Sequence, residues 1–232
     1  MSNRQLLMGA SLLLTLFVWQ SMLGTMALAV GFLVMIFIHE MGHYLAAKQL
    51  GLPVSAPIFT PMGAVILMPT LPKSAKDEAY IAMAGPVLGT VGALAGFILG
   101  LVLGVKDLIQ VSQLAFMLNL FNLIPLAPMD GGRISMVINR HLWVLGAPLL
   151  AWVVYSSGFS SMTVLVAVLV GWQAFQDVTM RKQLAQVNPQ YFQPELPARL
   201  AYIAAYLGLG AFLVWAYFFP GQLANFLVSL GL

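Results

Sequence analysis

His39-Glu40-Met41-Gly42-His43 is the stretch of this chain best equipped for chemistry. On a helix, positions i and i+4 share a face. The imidazoles of His39 and His43 can therefore hold one zinc ion between them. Glu40 projects from the next position and can act as general base toward water on that metal. The setting is unusual, because the six residues before it, Leu33 to Ile38, are all apolar and suit lipid rather than an aqueous cleft.

Two histidines leave a catalytic zinc one protein ligand short. The chain has three His, four Asp, three Glu and no Cys, so thiolate sites and disulfides are excluded and the third ligand can be sought by elimination. No acid occurs between Glu40 and Asp77, and the sixth position after His43 is Gln49. Asp77, Glu78 and Asp107 sit at the ends of expected spans and suit capping or solvation. Asp177 and Glu195 lie in or beside a polar stretch, and His141 stands next to Arg140 at an expected surface.

Asp130 stands apart. It lies in Asn122-Leu-Ile-Pro-Leu-Ala-Pro-Met-Asp130-Gly131-Gly132. A carboxylate at membrane depth is costly unless paired or bound to a cation. Pro125 and Pro128 break a helix and free backbone groups, tolerable inside protein or beside a wet cavity. Gly131 and Gly132 allow a close backbone approach to a ligand. Asn122 can donate to a substrate carbonyl or to a developing oxyanion. Asn119 is a candidate substrate contact as well. Both amides equally suit hydrogen bonding between helices.

The elements that must position these residues belong to a membrane protein. Of 232 residues, 61% are hydrophobic and 7% charged, against about 25% charged in soluble domains; mean hydropathy is +0.93. Several apolar runs approach the ~20 residues a helix needs to cross a bilayer. Without strict alternation they imply helices rather than a barrel. The net charge of +3 has no basic run or aromatic-basic interleave behind it, so no nucleic-acid surface is expected.

The sequence predicts an all-α polytopic protein of about six to seven spans. Residues 1–142 form a core that includes an uncleaved first span, Gln5 to Met22. Met26 to Leu50 is the second span, stopped by Gly51-Leu52-Pro53. Residues 54–70, rich in proline and glycine, read as a short membrane-dipping β-hairpin or loop turning near Pro61-Met62-Gly63. An edge there, Gly63 included, can pair with an extended substrate or serve packing alone. Ser74 to Asp77 fits a capping box opening a helix to about Gly104, whose Gly89, Gly92, Gly96 and Gly100 suit close helix packing. Leu108 to Ile124 is a further span. Residues 143–232 read as accessory helices around a polar surface loop at 177–199. With the N-terminus inside, nine of the ten basic residues fall on the cytoplasmic side and only Lys106 falls outside. That orientation puts the end of the His-Glu helix and Asp130 near the same side.

His-Glu-Met-Gly-His at the end of a span, Ala84-Gly85-Pro86 opening a later one, and Asn122…Pro125…Pro128-Met-Asp130-Gly131-Gly132 together resemble the site-2 protease family of intramembrane zinc metalloproteases. The matching segments run from about Leu33 to Ile134. The resemblance implies one zinc bound by His39, His43 and Asp130, catalysis by Glu40, substrate positioning by Asn122, and a three-span catalytic core. A transmembrane protein substrate follows from a hydrolytic site at membrane depth, a multi-pass protein of a prokaryotic cell membrane is the simplest home for so compact a core, and the basic-residue count opens the site to the cytoplasm. No stretch is long and polar enough for the PDZ or CBS domains of many members. The main rival is an ion- or proton-coupled transporter using the same ionisable residues; no inverted repeat favours it. A second rival is a catalytically inactive scaffold, and a third is a different metalloprotease with Glu195 as ligand.

Overall fold

The computed structural model describes every residue except 1, 2, 61, 62, 140, 157, 159, 160 and 232. Its elements are α1 (Asn3–Leu23), α2 (Met26–Gln49), β1 (Ile58–Thr60), β2 (Gly63–Val65), α3 (Ala75–Leu103), α4 (Lys106–Asn122) and α5 (Asp130–Ile138). After them come α6 (Trp143–Ser156), α7 (Ser161–Val187), a 3-10 turn at Pro189–Phe192, α8 (Leu196–Phe218) and α9 (Pro220–Ser229). The chain is a helical membrane protein. Among the described residues α2, α3 and α8 are long and apolar enough to cross a bilayer, and Gly9–Leu23 and Trp143–Ser156 are shorter apolar helices.

Contacts divide the chain into two compact units. One comprises Met1–Thr70, Ala84–Leu120 and Leu209–Leu232; the other comprises Leu71–Met83 and Phe121–Gly208.

In the first unit, Gly24 adopts a positive φ of 84° and Thr25 caps α2, its hydroxyl accepting from the Leu28 N–H. Gly51, at φ 70°, ends the helix as the sequence predicts. α2 meets α3 and α4 through small residues. A Cβ on Gly42 would stand 2.2 Å from the Ala84 carbonyl oxygen, one on Gly92 2.9 Å from Ile38, and one on Gly31 2.7 Å from Val111. Gly96 abuts Ser112 and Met35 in the same way. These contacts are the close helix approach expected of the glycine series. Phe116 packs on Phe97 and Phe212, at centroid distances of 6.2 and 6.3 Å.

β1 and β2 pair antiparallel, Ile58 opposite Val65 and Thr60 opposite Gly63. Gly63 opens β2 with φ 134°; Pro61 and Met62 of the expected turn lie outside the described residues. The Ser11 hydroxyl donates to the Phe59 carbonyl, and Phe59 stacks on Phe37, so the strands lie against α1 and α2.

In the second unit, the Ser74 hydroxyl accepts from the Asp77 N–H at 3.1 Å, the expected cap of α3. The chain between α4 and α5 is a tight loop carrying Pro125 and Pro128, and the Leu123 carbonyl in it accepts from the Tyr206 hydroxyl. Gly131 and Gly132 admit a close backbone approach within their own loop. A Cβ on Gly131 would stand 2.2 Å from the Leu123 oxygen and 2.4 Å from the Ile124 oxygen; one on Gly132 would stand 2.5 Å from the Ala127 nitrogen. The glycine pair admits the backbone of its own loop, folded over the start of α5. Leu126 and Met129 of that loop pack with Val170 and Ala174 of α7.

A correction concerns the polar stretch 177–199. α7 continues through it as far as Val187. Its first proline is Pro189, and Asp177 and Arg181 form an ion pair one helical turn apart, so nothing stops the helix sooner.

Gly42→Ala should lower the thermal stability of the detergent-solubilised protein by about 1–3 kcal/mol, the range for overpacking a close contact. Gly171→Ala, on α7 with nothing within 4 Å of the added methyl, should be neutral or mildly stabilising. Melting monitored by circular dichroism compares the two.

Candidate metal centre

α2 carries His39, Glu40 and His43 on adjoining turns. Both imidazoles are buried, at 4% exposure each, and Glu40 is half-buried. The two Nε2 atoms converge to 3.1 Å. Two nitrogens each about 2.0–2.1 Å from a tetrahedral zinc stand about 3.3 Å apart, so this spacing already suits the ion.

The orientation of His39 is fixed from α4. Asn119 donates from Nδ2 to the Ala115 carbonyl at 2.8 Å, which turns its Oδ1 toward His39. That oxygen lies 2.8 Å from His39 Nδ1. An amide oxygen only accepts, so His39 donates from Nδ1–H and its Nε2 lone pair is left facing Nε2 of His43. Asn119 is buried at 1% exposure, and a Cβ on Gly89 would stand 2.4 Å from its Oδ1. Asn119 thus gives His39 a hydrogen bond of the kind that orients metal-binding imidazoles.

His43 is seated by Gly85. A Cβ there would stand 2.2 Å from both Cε1 and Nε2 of the ring. Gly85 follows Ala84, whose carbonyl contacts Gly42, so one short segment of α3 accommodates both the helix and its histidine.

Asp130 is the first residue of α5, buried at 6% exposure, where the helix N-terminus favours a carboxylate. His39, His43 and Asp130 form a possible metal-binding group: each offers one donor atom, and the three atoms lie within 4.8 Å of one another. Two imidazoles and one carboxylate are a catalytic zinc donor set, leaving a position for water or substrate. Asn122 is half-buried at the last residue of α4, one turn beyond Asn119. His141 is exposed, and so is Glu195. A separate cavity of about 430 Å³ in the second unit, lined in part by Gly132, Ser135, Trp143, Asp177 and Arg181, has none of the three donors in its wall. Burial there raises the Asp177 carboxyl above its usual value, against the pull of Arg181.

Residues 27–113 match the model of peptidase family M50. Over that segment the chain is similar to the M50 peptidases. The family resemblance read from the motifs is thereby met. Zinc metalloprotease MJ0392 of Methanocaldococcus jannaschii is 38% identical over 117 residues, which cover 45% of this chain and 32% of the relative. Putative zinc metalloprotease Rip3 of Mycobacterium tuberculosis is 31% identical over 123 residues, covering 50% of this chain and 30% of the relative. The chain thus spans about a third of the length of the curated relatives it matches. The M50 match contains His39, Glu40, His43 and Gly85 but ends before Asn119, Asn122 and Asp130.

Replacing Asn119 on α4 by Leu removes the acceptor at His39 Nδ1 and should weaken zinc binding about 10–100-fold. Asn119→Asp keeps an acceptor and should stay closer to wild type. Competition with a zinc chelator in detergent measures both.

Proposed function

We propose that this chain is an intramembrane zinc metalloprotease that hydrolyses peptide bonds of membrane-spanning or membrane-adjacent proteins. The strongest support is the buried group of two imidazoles and one carboxylate in a chain whose helices suit lipid. The names of the relatives, both zinc metalloproteases, agree with it. In this reading His39, His43 and Asp130 hold one zinc. When bound, the ion supplies Lewis acidity, which eases deprotonation of water and polarises a carbonyl oxygen.

The chain's own residues do the rest. Glu40 takes the proton of the attacking water at its carboxylate and returns it to the leaving nitrogen. Asn122 donates its amide N–H to the carbonyl oxygen as charge develops. Asn119 keeps His39 in the tautomer that presents Nε2. An edge of the β1–β2 pair, Gly63 included, takes an extended substrate segment as an added strand. A helical substrate must first unwind there, because its carbonyls are hydrogen-bonded along the helix.

Residues 1–142 form the catalytic core of a six- to seven-span protein of a prokaryotic cell membrane, and residues 143–232 are accessory. The N-terminus and the opening of the site face the cytoplasm, as the basic residues distribute.

The test is zinc content together with cleavage of a transmembrane substrate in liposomes. Wild type should carry about one zinc per chain. Glu40→Gln should keep the zinc and lose at least about a hundredfold in cleavage rate, the lower range for a general base. Asp130→Ala should lose the zinc. Glu40→Gln cleaving at the wild-type rate refutes the protease reading.

A further inference from the structure

The second unit contains a chain of charged and polar side chains that ends on Asp130. Arg133 lies one turn after Asp130 on α5, its Nη1 4.0 Å from Asp130 Oδ1. Its Nε lies 3.4 Å from Glu78 Oε1, on the first turns of α3. The other carboxylate oxygen, Glu78 Oε2, accepts from the Tyr191 hydroxyl at 2.7 Å. Tyr191 belongs to the 3-10 turn between α7 and α8 and is buried at 5% exposure. The sequence separations are 55 residues from Arg133 to Glu78 and 113 from Glu78 to Tyr191, so this is an assembled feature and not a local helix pairing.

The packing beneath holds the chain in place. Ala75 and Ala79 of α3, Met136 and Val137 of α5, and Tyr191 form one apolar cluster with Leu184, Phe192 and Tyr202 around it. The Tyr202 hydroxyl also donates to the Lys76 carbonyl at 3.2 Å. The side chains of Arg133 and Glu78 are only 20% and 14% exposed, so solvent screens the pair weakly. Burial and the Glu78 carboxylate push the Tyr191 phenol far above its usual range, which keeps it a neutral O–H donor.

We propose that Tyr191, Glu78 and Arg133 are positioning residues for the metal centre, which hold the Asp130 carboxylate in place and set how tightly it binds zinc. This inference rests on the reading of Asp130 as a ligand. Arg133 is shared between two carboxylates. Glu78 takes part of the guanidinium's hydrogen-bonding capacity, and Tyr191 fixes which way Glu78 faces. With Glu78 removed, Arg133 turns fully to Asp130 and competes with the metal for its oxygens. With Arg133 removed, Asp130 loses its orientation. In both cases zinc affinity falls. The 3-10 turn at Pro189–Phe192 is therefore part of the device that builds the site and not merely a link between helices.

The experiment uses the full chain in detergent, with two readouts besides activity. One is the zinc dissociation constant from chelator competition; the other is the visible spectrum of the cobalt-substituted protein, which reports ligand geometry. Tyr191→Phe and Glu78→Gln should each weaken zinc binding about tenfold or more, the lower range for residues supporting a ligand, and should shift the cobalt bands. Arg133→Leu should do the same, with Arg133→Lys recovering part of the loss. Asp130→Ala is measured alongside. If Asp130→Ala binds zinc as wild type does, the ligand reading falls. If Asp130→Ala loses zinc while Tyr191→Phe and Glu78→Gln keep the wild-type constant and spectrum, the ligand reading stands and the positioning proposal is overturned. A lowered melting temperature in those two variants with an unchanged constant is the same negative result, since it marks packing alone.

Discussion

The rest of the structure depends on one constraint: ionisable side chains that could hold a metal are buried among helices made for lipid. Desolvating such groups is costly unless each has a partner. Each donor here has an outer contact as well as a place in the donor group. His39 donates to Asn119, which is itself held by the Ala115 carbonyl. His43 lies edge to face with His39 and against the bare Cα of Gly85. Asp130 has the start of α5 and Arg133.

That constraint explains the glycines better than helix packing alone does. Small residues bring membrane helices together anywhere. Gly85 and Gly89 do something more specific, since the atoms that fill their missing side chains belong to the His43 ring and the Asn119 amide. α3 is smooth where it must accept α2, α4 and two polar side chains at once. Its glycine spacing is set in part by the chemistry of its neighbours.

How much of this the sequence carries follows from the range of each interaction. The histidine pair is legible because helical periodicity alone puts i and i+4 together. Asp130 is singled out because acids are so scarce that elimination works, and the cap at Ser74 is legible because it is local. The partner of Asn119 is not legible, since it depends on the rotation of α4 against α2, which hydropathy does not encode. Gly131 and Gly132 announce a close approach without naming all that approaches; the structure shows the backbone of their own loop. Residues 177–187 mislead because their polarity resembles that of a loop, although no proline interrupts them. The link from Tyr191 to Glu78 spans 113 residues and carries no pattern that a single sequence displays.

In the proposed reading, Asp130 also shows why a metal ligand placed in this way needs moderation. The N-terminus of α5 and the Arg133 guanidinium both act on its carboxylate. The same two influences draw electron density from the oxygens that a metal would use. A guanidinium bound only to Asp130 would be a direct competitor, and one absent altogether would leave a buried carboxylate loose. Sharing Arg133 with Glu78 lies between these extremes, and the Tyr191 hydroxyl on the far oxygen of Glu78 fixes the division. The polar segment after α7 thereby gains a reason to fold back as a short 3-10 turn with its tyrosine buried rather than remain an open loop.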